Sequence, residues 1–390
     1  MEGQAFLTDG AGGNGISWAF PGATFAPSEG ATGTMPSVSA GGYPKFCSLA
    51  LVRSPLFPAD WQGDLITCDF RAHRMVRFDI KDLSRGEVSR SAYATADQPD
   101  VLKTPDQSFR PIDVKFGPDG ALYVADWTNP VINHGEVDFR DPRRDKTHGR
   151  IWRIAPKGSR PLAWQSLTDR STRELLDGLL SSNKWEQEQS KRTLVERLRS
   201  GGTGVVKEWE AAKGTGEATL HGAFARAAAV GPEAALEGFS PKDPGGRAWE
   251  ARWLGAVART ESARKRLAAL AADGSARVRL EAMRALARAA EPDAAEGILK
   301  AASMSPEGDA QYAFAVARSI REIAPVWVPA VLSGGWSWKG REKELSVGLR
   351  ALDAGVAAPV VALVTRSVDL GRDLNGPWAE LIAHAGGAEE

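Results

Sequence analysis

Residues 109–127 read Phe-Arg-Pro-Ile-Asp-Val-Lys-Phe-Gly-Pro-Asp-Gly-Ala-Leu-Tyr-Val-Ala-Asp-Trp. Apolar Ile112, Val114 and Phe116 alternate with Asp113 and Lys115, the period of two that turns one face of a strand toward a core. Gly117-Pro118-Asp119-Gly120 then makes a tight turn, because proline presets φ and glycine accepts positive φ. Leu122-Tyr123-Val124-Ala125 comes next as a second strand. The stretch is a hairpin, and it predicts antiparallel β-structure around it.

Working outward, Ile151-Trp152-Arg153-Ile154 supplies a third strand, and the runs at 65–68 and 76–80 a further pair upstream. Short strands at hairpin spacing indicate antiparallel architecture. Residues 10–42 are rich in Gly, Ser, Pro and Thr and predict loop, with 16–20 as a short strand. From Ser171 the pattern is helical. Residues 277–290 place Val278, Ala282, Ala285 and Ala289 on one face with arginines opposite. Ala-Arg pairs recur at 225–226, 258–259, 287–288 and 317–318. Their spacing of roughly 30 residues is the length of a two-helix solenoid unit. Ser275 is the expected N-cap of one helix, and Asp273-Gly274 the break before it. The expected division is a β part over 1–158, a linker over 159–170 and a helical part over 171–390.

Composition narrows the function. Lysine plus arginine equals aspartate plus glutamate, 49 each, so the surplus of positive charge that drives nucleic-acid affinity is missing. No run of about 18 apolar residues predicts a membrane span. Met-Glu-Gly-Gln-Ala-Phe at the start has neither the basic nor the apolar region of a signal peptide. Cys47 and Cys68 read as buried free thiols, with one disulfide as the alternative. No Cys-x-x-Cys-His occurs, so no c-type haem is expected in this chain. Gly10 to Gly15 has the spacing Gly-x-Gly-x-x-Gly. Too few residues precede it for the strand that a dinucleotide site needs, and Pro21 disrupts the helix that would have to come after it. No spacing of histidines or cysteines predicts a metal centre, although calcium held by loop oxygens stays open.

Residues 109–127 resemble part of the membrane-bound dehydrogenase family of planctomycete and verrucomicrobial multidomain proteins. The resemblance continues through Asn129-Pro130, Asn133-His134, Arg140-Asp141-Pro142-Arg143-Arg144-Asp145 and His148-Gly149-Arg150-Ile151, and earlier through Trp61-Gln62-Gly63-Asp64 and Cys68-Asp69-Phe70-Arg71. It implies a β-propeller of the quinoprotein sugar-dehydrogenase type, followed by HEAT-like repeats and often by a haem-binding domain that this chain lacks. A whole propeller of about six four-stranded blades takes some 250 residues. The expected fold is therefore the last two or three blades, then an α-helical HEAT-like solenoid, in a fragment of a longer protein. The resemblance further implies oxidation of a sugar or alcohol, PQQ and calcium as cofactors, a cytochrome c domain elsewhere as electron acceptor, and a periplasmic or cell-envelope location.

In an up-and-down blade, the connection between strands two and three lies at the same end as the approach to strand one. That order gathers Arg110, Asp126 and the loop from Trp127 to Arg150, with Asp69, Arg71 and His73 of the preceding blade. Within 15 residues the loop holds His134, Glu136, Asp138, Arg140, Asp141, Arg143, Arg144, Asp145 and His148. These residues admit two readings. Arg71, Arg110, Asp126, Arg140, Arg143 and Arg144 surround an acidic cofactor such as PQQ, with His134, His148 or His73 as base. Alternatively the arginines and aspartates pair with each other and pin a loop that has no core. An incomplete propeller also leaves an open sheet edge, which predicts poor solubility. In the helical part, Trp249 and Trp253 are four apart and expected in the core. Trp336 and Trp338 come after Gly334-Gly335 and are expected in an exposed loop. The solenoid is the expected surface for a protein partner. The two functions in play are a dehydrogenase fragment and a non-enzymatic interaction scaffold.

Overall fold

The computed structural model describes residues 4–8, 10, 15–24, 37–39, 45–85, 89–132, 137–199, 202–214, 216–367 and 377–387. Nine strands precede thirteen helices among them. The strands are β1 (Ala5–Thr8), β2 (Ile16–Ala19), β3 (Phe46–Leu51), β4 (Leu65–Asp69), β5 (Arg74–Asp82), β6 (Tyr93–Lys103), β7 (Pro111–Phe116), β8 (Leu122–Asp126) and β9 (Arg150–Ile154). They form three antiparallel sheets in sequence order, β1-β2, β3-β4-β5-β6 and β7-β8-β9. The hairpin at 109–127 takes the expected register, with Val114 opposite Val124 and Phe116 opposite Leu122. Gly120 sits at φ 78°, where the turn requires a residue without Cβ strain.

Alternation along the hairpin has a direct consequence for packing. Val114, Phe116, Leu122 and Val124 share one face of the β7-β8-β9 sheet and pack on Ala50, Ile66, Cys68 and Met75 of the neighbouring sheet. Phe57 closes this core edge-on against Phe116, their centroids 5.5 Å apart. Each such side chain, fully buried, stabilises by about 1.5–3 kcal/mol. Cys47 and Cys68 face each other across β3 and β4 as free thiols. Burial pushes both thiols up, Cys47 to about 11.

The helices are α1 (Thr172–Gly178), α2 (Lys184–Leu198), α3 (Gly204–Lys213), α4 (Gly216–Val230), α5 (Pro232–Leu236), α6 (Pro244–Leu254), α7 (Glu261–Leu270), α8 (Ala276–Ala287), α9 (Ala294–Ser303), α10 (Ala310–Leu332), α11 (Glu342–Arg350), α12 (Ala354–Ser367) and α13 (Pro377–Ala385). No helix among the described residues is long and apolar enough to cross a membrane.

The chain divides into two compact units. The first comprises residues 1–20, 24–82 and 93–235, so it holds the three sheets together with α1–α4 and most of α5. Its helical core is built on Leu175, Leu176, Leu194, Val206 and Trp209. A capping box at Ser171 and Glu174 starts α1. The Asn183 side chain caps α2 through Trp185 N and donates to the Pro118 carbonyl of the β7–β8 turn at 3.0 Å.

The second unit comprises residues 21–23, 83–92 and 236–390, and centres on α8. Every residue of α8 is buried, charged ones included. The arginines lie opposite the apolar stripe as the periodicity requires, but not in solvent. Arg277 donates to the Ser91 and Ala92 carbonyls, and Arg279 to those of Asp273, Gly274 and Met304. Arg284 donates to the Pro21 carbonyl and to Ser319. Guanidinium groups survive burial here because main-chain acceptors take their donors. Ser275 precedes α8 as expected, without capping it through its side chain. Trp249 and Trp253 are core residues.

Trp336 and Trp338 correct the sequence reading. They do lie in a connection, between α10 and α11, yet they are only 7% and 9% exposed. Trp336 packs edge-on against Trp327, and Trp338 against Trp378. The Ala-Arg pairs also fall at unlike places: inside α4, after α6, at the end of α8 and inside α10.

Candidate functional site

β8 ends at Asp126 and β7 begins at Pro111, so antiparallel pairing alone brings Arg110 beside Asp126. Asp126 is the hub. Its side chain is wholly buried, and its two oxygens accept four hydrogen bonds. Oδ1 takes Arg110 N at 2.8 Å and Thr128 N at 2.9 Å; Oδ2 takes Arg150 Nε at 2.8 Å and Trp152 Nε1 at 2.9 Å. Those four donors satisfy a carboxylate that could not otherwise stay buried. Arg150, at the far end of the loop, also donates to Thr128 Oγ1 at 3.0 Å and pairs with Asp106 at 3.3 Å. One carboxylate therefore ties the start of the loop to its end.

Arg110 ties the same loop to the preceding sheet. It is 5% exposed, and its guanidinium donates to the carbonyls of Asn129 (2.9 Å), Phe70 (2.9 Å), Arg71 (3.3 Å) and Pro130 (3.2 Å). Burial lowers its pKa, partly offset by Asp106 and Asp126. Phe70 and Arg71 belong to the β4–β5 turn, and Asn129 and Pro130 to the loop. These contacts match the gathering at one end that strand order implies. His73, at φ 55°, completes the set. Its Nδ1 faces the Phe109 carbonyl at 3.0 Å, an acceptor only, so Nδ1 holds the proton and Nε2 accepts from Arg110 Nη1 at 3.5 Å.

Within the loop the charges pair locally. Arg143 donates twice to Asp141, from Nε at 3.0 Å and Nη2 at 2.8 Å, and this holds the Asp141 carboxyl down at about 2. Arg144 donates to the carbonyls of Val137 and Asp138 and lies over the Phe139 ring. Asp145 accepts from the main-chain N–H groups of Thr147 and His148, each at 3.0 Å, which holds it at about 2. The His148 ring meets Asp145 through Nδ1 at 3.1 Å, its side chain 76% exposed. Arg71 and Arg140 project from the surface, as do Phe139 (66% exposed) and Trp127 (40%). His134 and Glu136 lie outside the described residues, as do Asn133 and residues 11–14 of the glycine motif. Among the described residues, no three His, Cys, Asp or Glu side chains converge as a metal site would require.

Strand order brings together Arg110, Asp126, Arg71, His73 and the loop that holds Asn129, together with Asp69, which pairs with Arg74 at 3.2 Å. It does not point to Asp106 or Trp152. Asn129 is 3% exposed and supplies both a carbonyl to Arg110 and an amide N–H to the Asp145 carbonyl at 3.3 Å. Its place directly before Pro130 is a sequence signal for this role, since Asn-Pro marks an ordered turn.

The family described as "Domain of unknown function (DUF7133)" matches residues 22–158, the stretch that holds β3 to β9 and this loop. No curated protein matches the chain. Among solved structures, two crystallised engineered proteins are similar at 22% and 20% identity, covering 49% and 55% of this chain and 93% and 68% of their own. Their TM-scores are 0.28 and 0.24, too low to assign a fold.

Proposed function

We propose that this chain is an interaction scaffold: propeller-type blades with a braced, charged loop, joined to HEAT-like helices that present a surface to a protein partner. The observation that carries the reading is the use already made of Arg110 and Asp126, the buried pair among the cofactor-binding candidates. Arg110 spends its donors on four main-chain carbonyls, and Asp126 accepts four hydrogen bonds from its own chain. A cofactor carboxylate would have to displace those bonds, leaving buried carbonyls without partners at about 1–3 kcal/mol each. Two sheets in sequence order, sharing one apolar core, support the blade reading. The test is calorimetric titration of the protein with PQQ and calcium, together with dye reduction over a panel of sugars and alcohols. A scaffold gives neither heat of binding nor reduction; saturable binding with turnover would overturn it.

One observation favours a second reading, the quinoprotein-like dehydrogenase that the resemblance implies. Asp145 orients His148 through Nδ1, which leaves Nε2 as the acceptor, the arrangement that a general base needs to take a hydroxyl proton as hydride leaves. Arg71 and Arg140 of that end are exposed, as is Arg143, although Arg143 pairs with Asp141. If this reading holds, His148→Gln abolishes dye reduction at unchanged thermal stability.

A further inference from the structure

We propose a carbohydrate-binding cleft in the first unit, at the end of the sheets opposite the charged loop. It goes beyond the scaffold reading and does not depend on it. The cleft encloses about 210 Å³ between the β7–β8 turn, residues 162–164 and the α1–α2 connection. That is below the roughly 300–1,000 Å³ of sites for drug-sized ligands, so its ligand is a small ring or the end of a chain.

Its walls are preformed. The Leu162 N–H donates to the Asp119 carbonyl at 2.9 Å, and the Lys184 N–H to the Arg53 carbonyl at 2.8 Å. Asn183 holds the Pro118 carbonyl from the other side. A Cβ on Gly120 would lie 2.7 Å from Leu162, so only glycine permits this approach. A cleft fixed by main-chain bonds loses little entropy when it is filled.

Two tryptophans define the chemistry. Trp164 is 57% exposed, yet it is held edge-to-face against half-buried Trp185, centroids 6.0 Å apart and planes at 71°. Pro55 and Pro118 extend the apolar surface. Around it stands a polar rim. Glu186 accepts from Arg170 at 2.5 Å and from Ser181 Oγ at 2.6 Å, and Ser182 is exposed beside them. A pyranose matches this pairing: one face of C–H groups lies on an aromatic ring, while its hydroxyls both donate and accept along the rim. A proline-rich peptide would also fit tryptophan and proline walls, but it offers no side-chain donor to the second lone pairs of Glu186. The carboxylate at the rim favours the polyol.

The test is calorimetric titration of the whole chain with cellobiose, maltose, lactose and chitobiose, and with a proline-rich peptide for comparison. Saturable binding of at least one saccharide is expected. Trp164→Ala should weaken it at least tenfold, Trp164→Phe should keep part of it, and Glu186→Gln should weaken it as well. Trp164 is exposed, so an unchanged melting temperature shows that its variants remain folded. No binding by any saccharide, binding that survives Trp164→Ala, or binding of the peptide in place of the sugars would each overturn the proposal.

Discussion

In the sequence Asp126 is one acid before a tryptophan; in the fold it anchors both ends of the loop at 127–150. Asp126→Asn would set an amide N–H against donors already aimed at that oxygen. The expected cost is about 2–4 kcal/mol, read as a lower denaturant midpoint for the first unit. A purely catalytic Asp126 would lose activity at constant stability. His221 of α4 makes a second residue-scale prediction. Burial, ahead of the opposing pull of Glu217, brings its pKa from 6.5 down to about 4. The unfolded chain therefore holds more protons between those values. Stability should be flat above about pH 6.5 and fall as pH drops toward 4, by on the order of 3 kcal/mol at full protonation. His221→Gln should flatten that stretch of the pH–stability curve, and a slope that persists would assign it to another group. At this scale the sequence names the chemical groups but not their partners, because partners such as the Phe70 carbonyl carry no side-chain signature.

Among elements, legibility tracked patterning. The hairpin at 109–127 alternates cleanly because one face meets a core, and its strands could be placed within a residue or two. β6 escaped because it is a long edge strand, Tyr-Ala-Thr-Ala-Asp-Gln-Pro-Asp-Val-Leu-Lys, largely solvent-facing and interrupted by Pro99. Proline is tolerated there because an edge strand leaves one row of N–H groups unpaired. Trp336 and Trp338 lie in the connection that Gly334-Gly335 marks, and only their exposure departs from the sequence reading, because a turn can carry aromatic rings back onto a core. Trp336→Ala should cost about 3–5 kcal/mol by opening a cavity beside Trp327. The charged loop behaves as a latched element. Its Asp141 and Asp145 carboxyls lie at about 2, below their unfolded values, so their stabilising contribution is complete above about pH 4 and lost as pH falls through 2. Asp145→Ala should raise proteolysis within 137–149 at neutral pH while leaving the melting temperature nearly unchanged, since the pairs it breaks are exposed.

For the whole molecule, composition marks where strands give way to helices but not which helices share a compact unit with the sheets. α1 to α4 belong to the same unit as β1 to β9, and contacts such as Arg53 with Glu217 at 3.0 Å carry no trace in local sequence. Two units predict separable responses to mutation. Asp126→Asn should lower one calorimetric transition and Trp336→Ala the other, whereas a single shared transition shifted by both would show one cooperative core. The resemblance pointed to a quinoprotein, and the hydrogen bonds of Arg110 and Asp126 point to a brace. Hydrogen exchange across residues 127–150, in the native chain and in Arg110→Met, tests that difference most directly. The brace predicts slow exchange at Trp127 and Thr128, whose N–H groups donate to the Arg110 carbonyl and to Asp126. Arg110→Met keeps both of those acceptors but removes the guanidinium that holds the Phe70, Arg71, Asn129 and Pro130 carbonyls. It should therefore loosen the loop, speed exchange across it and lower the melting temperature. Unprotected Trp127 and Thr128 amides in the native chain would mean that Asp126 and the Arg110 main chain do not brace the loop. Unchanged exchange and melting temperature in the variant would mean that the Arg110 guanidinium is no part of the brace.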